Sequence, residues 1–231
     1  TWTKEADGIG SQPTFSSFVG GSPANDAVQN AAANQPKIVD GGNLVTDNDG
    51  KTAINGKGAT LKPKSGVDYL SSDGTYSVFA VCDLPDQTLG SSSFNNIIRF
   101  DSWGFGGASS QRKPLIYLPQ SDGKLTASSP SYTQGSVVVN KANTTAAQLL
   151  TNIGNPALTT DNNLVYMQGS EVGSDDLNTD VNTEQTVGVN TALFDERETT
   201  VDTFLSELIY YPSDQSSNRP AIEANIANQY G

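Results

Sequence analysis

Any chemistry on this chain must proceed without histidine. Its 231 residues include none, and they include a single cysteine, Cys82. A Ser-His-Asp relay, a Cys-His pair and every histidine-bearing metal site are excluded. One cysteine forms no intrachain disulfide and no thiolate cluster. Cys82 ends the run Val78-Phe79-Ala80-Val81-Cys82 with no base or cation beside it in sequence. It reads as a small buried hydrophobe, not a nucleophile. Carboxylates, oxygen ligands and aromatic faces remain.

Glycoside hydrolysis uses two carboxyls about 5–9 Å apart across a cleft. A Glu-x-Asp-x-x-Glu spacing, which presents such carboxyls along one strand, is absent. The most interesting single carboxylate is Glu207, within Phe204-Leu205-Ser206-Glu207-Leu208-Ile209-Tyr210-Tyr211. A carboxyl facing a sheet interior needs a partner or a shifted pKa. Its structural reading is a hydrogen bond or an ion pair with Arg99 or Arg219, and perturbed carboxylates are often of this kind. Asp195, Glu196 and Glu198 surround Arg197, the pattern of a solvated loop.

Asp47-Asn48-Asp49-Gly50 contains part of an Asp-x-Asp-x-Asp-Gly calcium loop but lacks the first ligand and the distal Glu. Asp47 and Asp49 are its candidate ligands. Such a stretch also reads as a hairpin turn. Ser174-Asp175-Asp176 with Asp180 is a second acidic loop. The chain is expected to need no cofactor, calcium being the one ion these loops suit.

Sugar binding uses aromatic platforms and planar polar side chains on loops or a concave sheet face. Trp103 is the best candidate, because glycines flank it in Phe100-Asp101-Ser102-Trp103-Gly104-Phe105-Gly106-Gly107. Tyr117 and Tyr132 are candidate neighbours. The competing reading places Trp103 in a core gap or a subunit contact.

Charge narrows the partners. Thirteen Lys and Arg against 25 Asp and Glu give a net charge of -12. That balance disfavours nucleic acid and anionic membrane surfaces. No apolar stretch is long enough to cross a membrane, and no signal peptide is visible. The chain starts at Thr1, which fits a piece of a longer protein or a processed N-terminus.

The elements that position these residues are strands. Hydrophobic residues make up 35% and charged ones 16%, with 22 glycines, a β-rich balance. Val78–Cys82 has the continuous apolar character of a strand covered on both faces. Further runs occur at Ile97-Ile98 with Phe100, Leu115–Leu118, Val137–Val139 and Thr186–Val189. Leu164–Met167 runs through Gln168-Gly169-Ser170 into Glu171-Val172-Gly173, a hairpin in which Gly169 takes the positive φ. Simple alternation over Phe204–Tyr211 puts Phe204, Ser206, Leu208 and Tyr210 on one face and Leu205, Glu207, Ile209 and Tyr211 on the other. Both faces are largely apolar, which predicts a central strand. A short helix is predicted over Thr144–Ile153 from Leu149, Leu150 and Ile153. Another is predicted after Ser217 as N-cap, with Pro220 in its first turn and a stripe of Ile222, Ile226 and Tyr230. About a dozen short strands and one terminal helix give an all-β jelly-roll sandwich.

Three blocks carry a family resemblance. The first is Asn25-Asp26-Ala27-Val28-Gln29, Ala33-Asn34-Gln35-Pro36-Lys37-Ile38-Val39, Leu44-Val45-Thr46 and Gly50-Lys51-Thr52-Ala53. The second is Val165-Tyr166-Met167-Gln168-Gly169-Ser170-Glu171-Val172-Gly173. The third runs from Leu205–Tyr211 through Ser213-Asp214-Gln215-Ser216-Ser217-Asn218-Arg219-Pro220-Ala221-Ile222-Glu223-Ala224-Asn225-Ile226. In content and order they resemble concanavalin A-like, laminin G-type jelly-roll modules of bacteriophage tail and other virion proteins. The resemblance spans roughly Asn25 to Gly231, with only strand rhythm shared between Asp83 and Asn163. Phe18–Ala24 stands where family members often carry Trp-Tyr-Asp-Gln-Ser-Gly-Asn-Gly, so arabinofuranosidase B-type activity is not carried over.

The resemblance implies a concanavalin A-like jelly-roll β-sandwich with a short C-terminal helix. Residues 1–23 would be an N-terminal arm or edge segment, and 24–231 the laminin G-like domain. The implied function is a non-catalytic virion module, in a tail fibre, tail tip or capsid surface. It would bind other virion subunits in a homo-oligomer or a host surface glycan, at a virion surface or outside the cell. The alternative is a secreted glycoside hydrolase, or a carbohydrate-binding module of one.

Overall fold

The computed structural model describes residues 2–4, 13–15, 27–28, 32–63, 75–83, 96–102, 111–117, 124–128, 136–140, 147–155, 157–158, 160, 163–175, 191–194 and 202–230. Its first strands are β1 (Trp2–Lys4), β2 (Pro13–Phe15), β3 (Ala27–Val28), β4 (Val39–Asp40), β5 (Asn43–Leu44), β6 (Ile54–Asn55) and β7 (Lys62–Pro63). Next come β8 (Tyr76–Asp83), β9 (Asn96–Ser102), β10 (Gln111–Tyr117), β11 (Lys124–Ser128), β12 (Ser136–Asn140) and β13 (Gln148–Gly154). The last are β14 (Asn163–Met167), β15 (Ser170–Asp175), β16 (Thr191–Leu193) and β17 (Phe204–Tyr211), followed by helix α1 (Arg219–Tyr230). The strand expected at Thr186–Val189 lies outside the described residues.

The chain is an all-β sandwich. Its six-stranded sheet has the order β15-β14-β13-β8-β17-β6. A five-stranded sheet, β12-β11-β10-β9-β16, and a four-stranded sheet, β1-β2-β3-β7, meet where Leu61 and Leu193 exchange backbone hydrogen bonds of 2.9 and 3.0 Å. Within residues 1–23, β1 pairs with β2, and β2 continues onto β3 through Phe15 opposite Ala27.

β8 is the centre of the fold, and all eight of its residues are buried. Its side chains alternate between two cores. Tyr76, Val78, Ala80 and Cys82 join Ile54, Leu150, Val165, Phe194 and Leu205 on the inner face. Phe79 and Val81 join Leu149 and Ile226 on the outer face, under α1. Cys82 is fully buried, as its apolar run predicts.

The described part of the predicted helix over Thr144–Ile153 is instead strand β13, paired with β8 on one side and β14 on the other. All seven of its residues are buried. A single helical stripe cannot bury both sides of a segment, whereas a strand between two neighbours does so by alternation. Leu149 and Thr151 face α1, while Leu150 and Asn152 face the inner core. The polar pair is satisfied internally. Thr151 Oγ1 donates to Glu223 Oε1 at 2.8 Å, and Tyr76 Oη donates to Asn152 Oδ1 at 2.9 Å.

Two close approaches depend on a missing side chain. A Cβ on Gly56 would lie 2.1 Å from Phe194 Cδ1, and one on Gly154 would lie 2.3 Å from Tyr76 Cε1. Phe194 itself has a left-handed φ of 62°, unusual for a bulky residue, while its ring is 1% exposed. The β14–β15 hairpin turns through Gln168 (φ 50°) and Gly169 (φ 77°), extending the expected positive φ to both turn residues.

Candidate functional site

Strand β17 does not alternate simply. Leu205 pairs with Cys82 and Glu207 with Val81, so Ser206 is an extra residue, a β-bulge. Leu205 therefore lies on the inner face with Leu208 and Tyr210, while Ile209 and Tyr211 lie under α1. This corrects the face assignment at the start of the strand. β6 flanks β17 only at Phe204 and Leu205; over Glu207–Tyr211 its partner among the described residues is β8. In the sheet order β17 lies between β8 and β6, the central position its two apolar faces predict.

The bulge is where polar groups gather. Tyr230, the last residue of α1, donates its hydroxyl hydrogen to the Ser206 carbonyl at 3.0 Å. Ser206 Oγ donates to Asp47 Oδ2 at 3.0 Å. The Glu207 carboxyl lies against the Tyr230 phenol. Burial pushes Glu207 above the usual glutamate range, and the neighbouring phenol only partly offsets this. Burial, the Glu207 charge and hydrogen bond, and Asp47 push Tyr230 up to about 12. A phenol held this firmly in its neutral form is a hydrogen-bond donor rather than a nucleophile.

Asp47 and Asp49, the predicted calcium ligands, sit in one turn, which the Asp47 carboxylate closes. Asp47 is 4% exposed, and its Oδ1 accepts the N–H groups of Asp49 (3.1 Å) and Lys51 (2.8 Å). Asp49 Oδ2 accepts the Ala147 N–H at 2.8 Å. Asn48 N–H donates to Asp83 Oδ2 at 2.9 Å, tying the turn to the end of β8. Gly50 takes the left-handed φ of 78° that the turn needs. Among the described residues no three His, Cys, Asp or Glu side chains converge as a metal centre.

A second polar group pins the N-terminal end of α1. Asn218 stands at the N-cap position, one residue later than the expected Ser217; its backbone carbonyl accepts the Ile222 N–H at 3.1 Å, and its side-chain amide donates to Gln215 Oε1 at 2.9 Å. Pro220 and the stripe of Ile222, Ile226 and Tyr230 fall where the sequence places them. Arg219 pairs with Glu223, not Glu207, and donates to the Gly169 carbonyl at 3.2 Å. Its guanidinium stacks 3.9 Å from the Tyr166 ring centroid. Burial, followed by the Glu171 charge, raises the Tyr166 pKa against the lowering effect of Arg219. The i, i+4 spacing of Arg219 and Glu223 was the available sequence signal for this pair. Nothing local signalled the contact between Ser206 and Tyr230.

Of the predicted sugar platform, Tyr117 is the residue that is described. Tyr117 ends β10, opposite Asn96 in β9 and Thr126 in β11. Trp103 and Tyr132 lie outside the described residues, as do Asp176, Asp180 and the Asp195–Glu198 cluster.

No protein-family model matches the chain, and no curated protein matches it in sequence. Among solved structures, its fold is similar to the receptor binding domain of botulinum neurotoxin D, with TM-score 0.52, 12% identity, and 88% of this chain and 50% of that chain covered. It is also similar to the Trypanosoma rangeli sialidase, with TM-score 0.51, 12% identity, and 84% and 28% covered. The botulinum neurotoxin serotype G binding domain gives TM-score 0.50 and 12% identity, covering 84% and 46%. The chain spans half or less of the length of each of these structures. At these identities the likeness is one of fold.

Proposed function

We propose that this chain is a non-catalytic carbohydrate-binding module. The observation that carries this reading is the likeness in fold, over 84–88% of the chain, to binding domains of two botulinum neurotoxins. Trp103 is the aromatic platform we assign, with Tyr117 and Tyr132 as candidate partners in sugar binding. The finer reading rests on the sequence resemblance. It is a virion adhesin or capsid-surface part, acting on a host glycan or on neighbouring subunits of a homo-oligomer, at a virion surface or outside the cell.

A glycan array with the purified chain, run in calcium and in chelator beside Trp103→Ala, tests this. Binding that is lost in the variant supports the module and its platform. Dependence on calcium would support a role for Asp47 and Asp49 beyond the backbone hydrogen bonds they accept. A flat array overturns the reading in favour of a purely structural part. Deleting residues 1–23 then tests whether that segment carries assembly.

The sialidase likeness favours a second reading, glycoside hydrolysis. Glu207 is the acidic group it would draw on, because burial raises its pKa as a general acid requires. Release of a fluorogenic aglycone from sialosides or arabinosides that is abolished by Glu207→Gln would replace the binding-module reading. No turnover on either leaves it intact.

A further inference from the structure

Asn55-Gly56 is the one Asn-Gly pair in the chain. Such a pair is chemically labile. Glycine has no side chain to shield its amide nitrogen, which can attack the side-chain carbonyl carbon of the asparagine before it. Here the fold holds each group that the reaction must move. The Gly56 N–H, whose nitrogen is the nucleophile, donates to the Thr203 carbonyl at 2.8 Å. The Asn55 side-chain nitrogen, the leaving group, donates to Asp202 Oδ1 at 2.7 Å. The Asn55 side-chain oxygen accepts the Lys57 N–H at 3.0 Å. The Asn55 backbone exchanges bonds of 2.9 and 3.0 Å with Lys37 on one side and lies opposite Phe204 on the other. Ring closure needs the Gly56 nitrogen swung round toward the Asn55 side chain, which paired, extended backbone does not allow.

We propose that Asn55 is a self-modification site gated by the docking of β6: it deamidates when β6 leaves β17, and the product cannot redock. Opening can be local, because β6 is last in the sheet order and meets β17 at two register positions. Once freed, the Gly56 nitrogen gives its proton to hydroxide and attacks the Asn55 side-chain carbon. A C–N bond forms, and the side-chain nitrogen leaves as ammonia with a proton from water. Water then opens the five-membered imide. Cleavage at the side-chain carbon leaves an aspartate, and cleavage at the main-chain carbon leaves an isoaspartate. The sum is amide plus water to acid plus ammonia, with nothing oxidised or reduced. Neither product fits the site. The aspartate sets a second carboxylate where Asp202 now receives an N–H. The isoaspartate adds a methylene to the main chain before Gly56, where the space is taken: a Cβ there would lie 2.1 Å from the Phe194 ring.

Peptide mass mapping of the full chain, incubated in mildly alkaline buffer with and without urea, measures conversion at Asn55. The native chain should convert at least about tenfold more slowly than the urea-unfolded one. Asp202→Ala should raise the native rate about fivefold, the worth of one net hydrogen bond, and leave the unfolded rate unchanged. Asp202→Asn, which keeps the acceptor, should stay near the wild-type rate. Amide hydrogen exchange then reads the product. Deamidated chain, made in urea and separated by charge after refolding, should lose protection at Gly56, while unconverted chain from the same sample keeps it. Equal native and unfolded rates overturn the proposal, as does an Asp202→Ala rate equal to wild type. Full protection at Gly56 in the deamidated chain overturns it too.

Discussion

Replacing Gly56 by alanine sets one methyl group against one aromatic ring. The backbone at Gly56 has an ordinary φ, so alanine carries no conformational penalty there. Its N–H can keep the 2.8 Å bond to the Thr203 carbonyl. The cost therefore comes from the ring. The new Cβ would fall 2.1 Å from Phe194 Cδ1 and 2.4 Å from Cγ, well inside contact. Phe194 has little room to yield. It is 1% exposed, its φ is already 62°, and Leu193 before it is held by paired bonds to Leu61. Overpacking of a filled core costs about 1–3 kcal/mol, and the strained backbone places this case at the upper end. Phe194→Ala alone should cost about 3–5 kcal/mol through the cavity it leaves. In the double variant the Gly56→Ala methyl enters that cavity. The two losses should then fall short of their sum by at least about 1 kcal/mol. Urea unfolding of the four proteins, with unchanged m-values, measures the cycle. Losses that add within about 0.5 kcal/mol would refute the contact as the cause.

Glu223→Ala should destabilise by about 2–4 kcal/mol in the same assay, because it leaves the Thr151 hydroxyl and the Arg219 guanidinium without their shared acceptor. Glu223→Gln, which can still accept from Thr151, should cost less. Asp47→Ala should cost about 2–3 kcal/mol, since the N–H groups of Asp49 and Lys51 and the Ser206 hydroxyl all lose their acceptor. Burial raises the Asp214 pKa, but hydrogen bonds from Ser216 and Asn155 outweigh it and hold the carboxyl below the usual aspartate value. Its stabilisation is therefore complete above the unfolded pKa and lost as pH falls through the folded one. Acid titration of the urea midpoint should show a shallower acid-side loss in Asp214→Ala than in the wild type.

The legible parts of the fold were those set by local pattern. Val78–Cys82 read as a doubly covered strand because continuous apolar character has that meaning in a sheet. Gln168-Gly169 read as a hairpin because the turn needs positive φ. The stripe of Ile222, Ile226 and Tyr230 read as a helix from its period. The illegible parts were set by neighbours distant in sequence. Leu149, Leu150 and Ile153 fit one helical face or two strand faces equally well, and the pairing with β8 and β14 decides between them. The bulge at Ser206 leaves no trace in an alternating run, so Leu205 was assigned to the wrong face. The cluster around Glu207 was half legible. Its burial and need for a partner followed from the strand, but that partner is a tyrosine 23 positions away at the end of a helix.

The position of β8 also determines when the molecule can be completed. Its two sheet neighbours are β13 and β17, the first beginning at Gln148 and the second at Phe204. Long loops must close before either pairing forms, which slows folding. As the chain emerges from a ribosome, this fully buried strand waits with both edges open until the second half of the chain is made. Such edges recruit other strands, so a nascent or shortened chain ending before Phe204 would be prone to aggregate. The C-terminal segment from Phe204 is thus what closes the centre of the sheet.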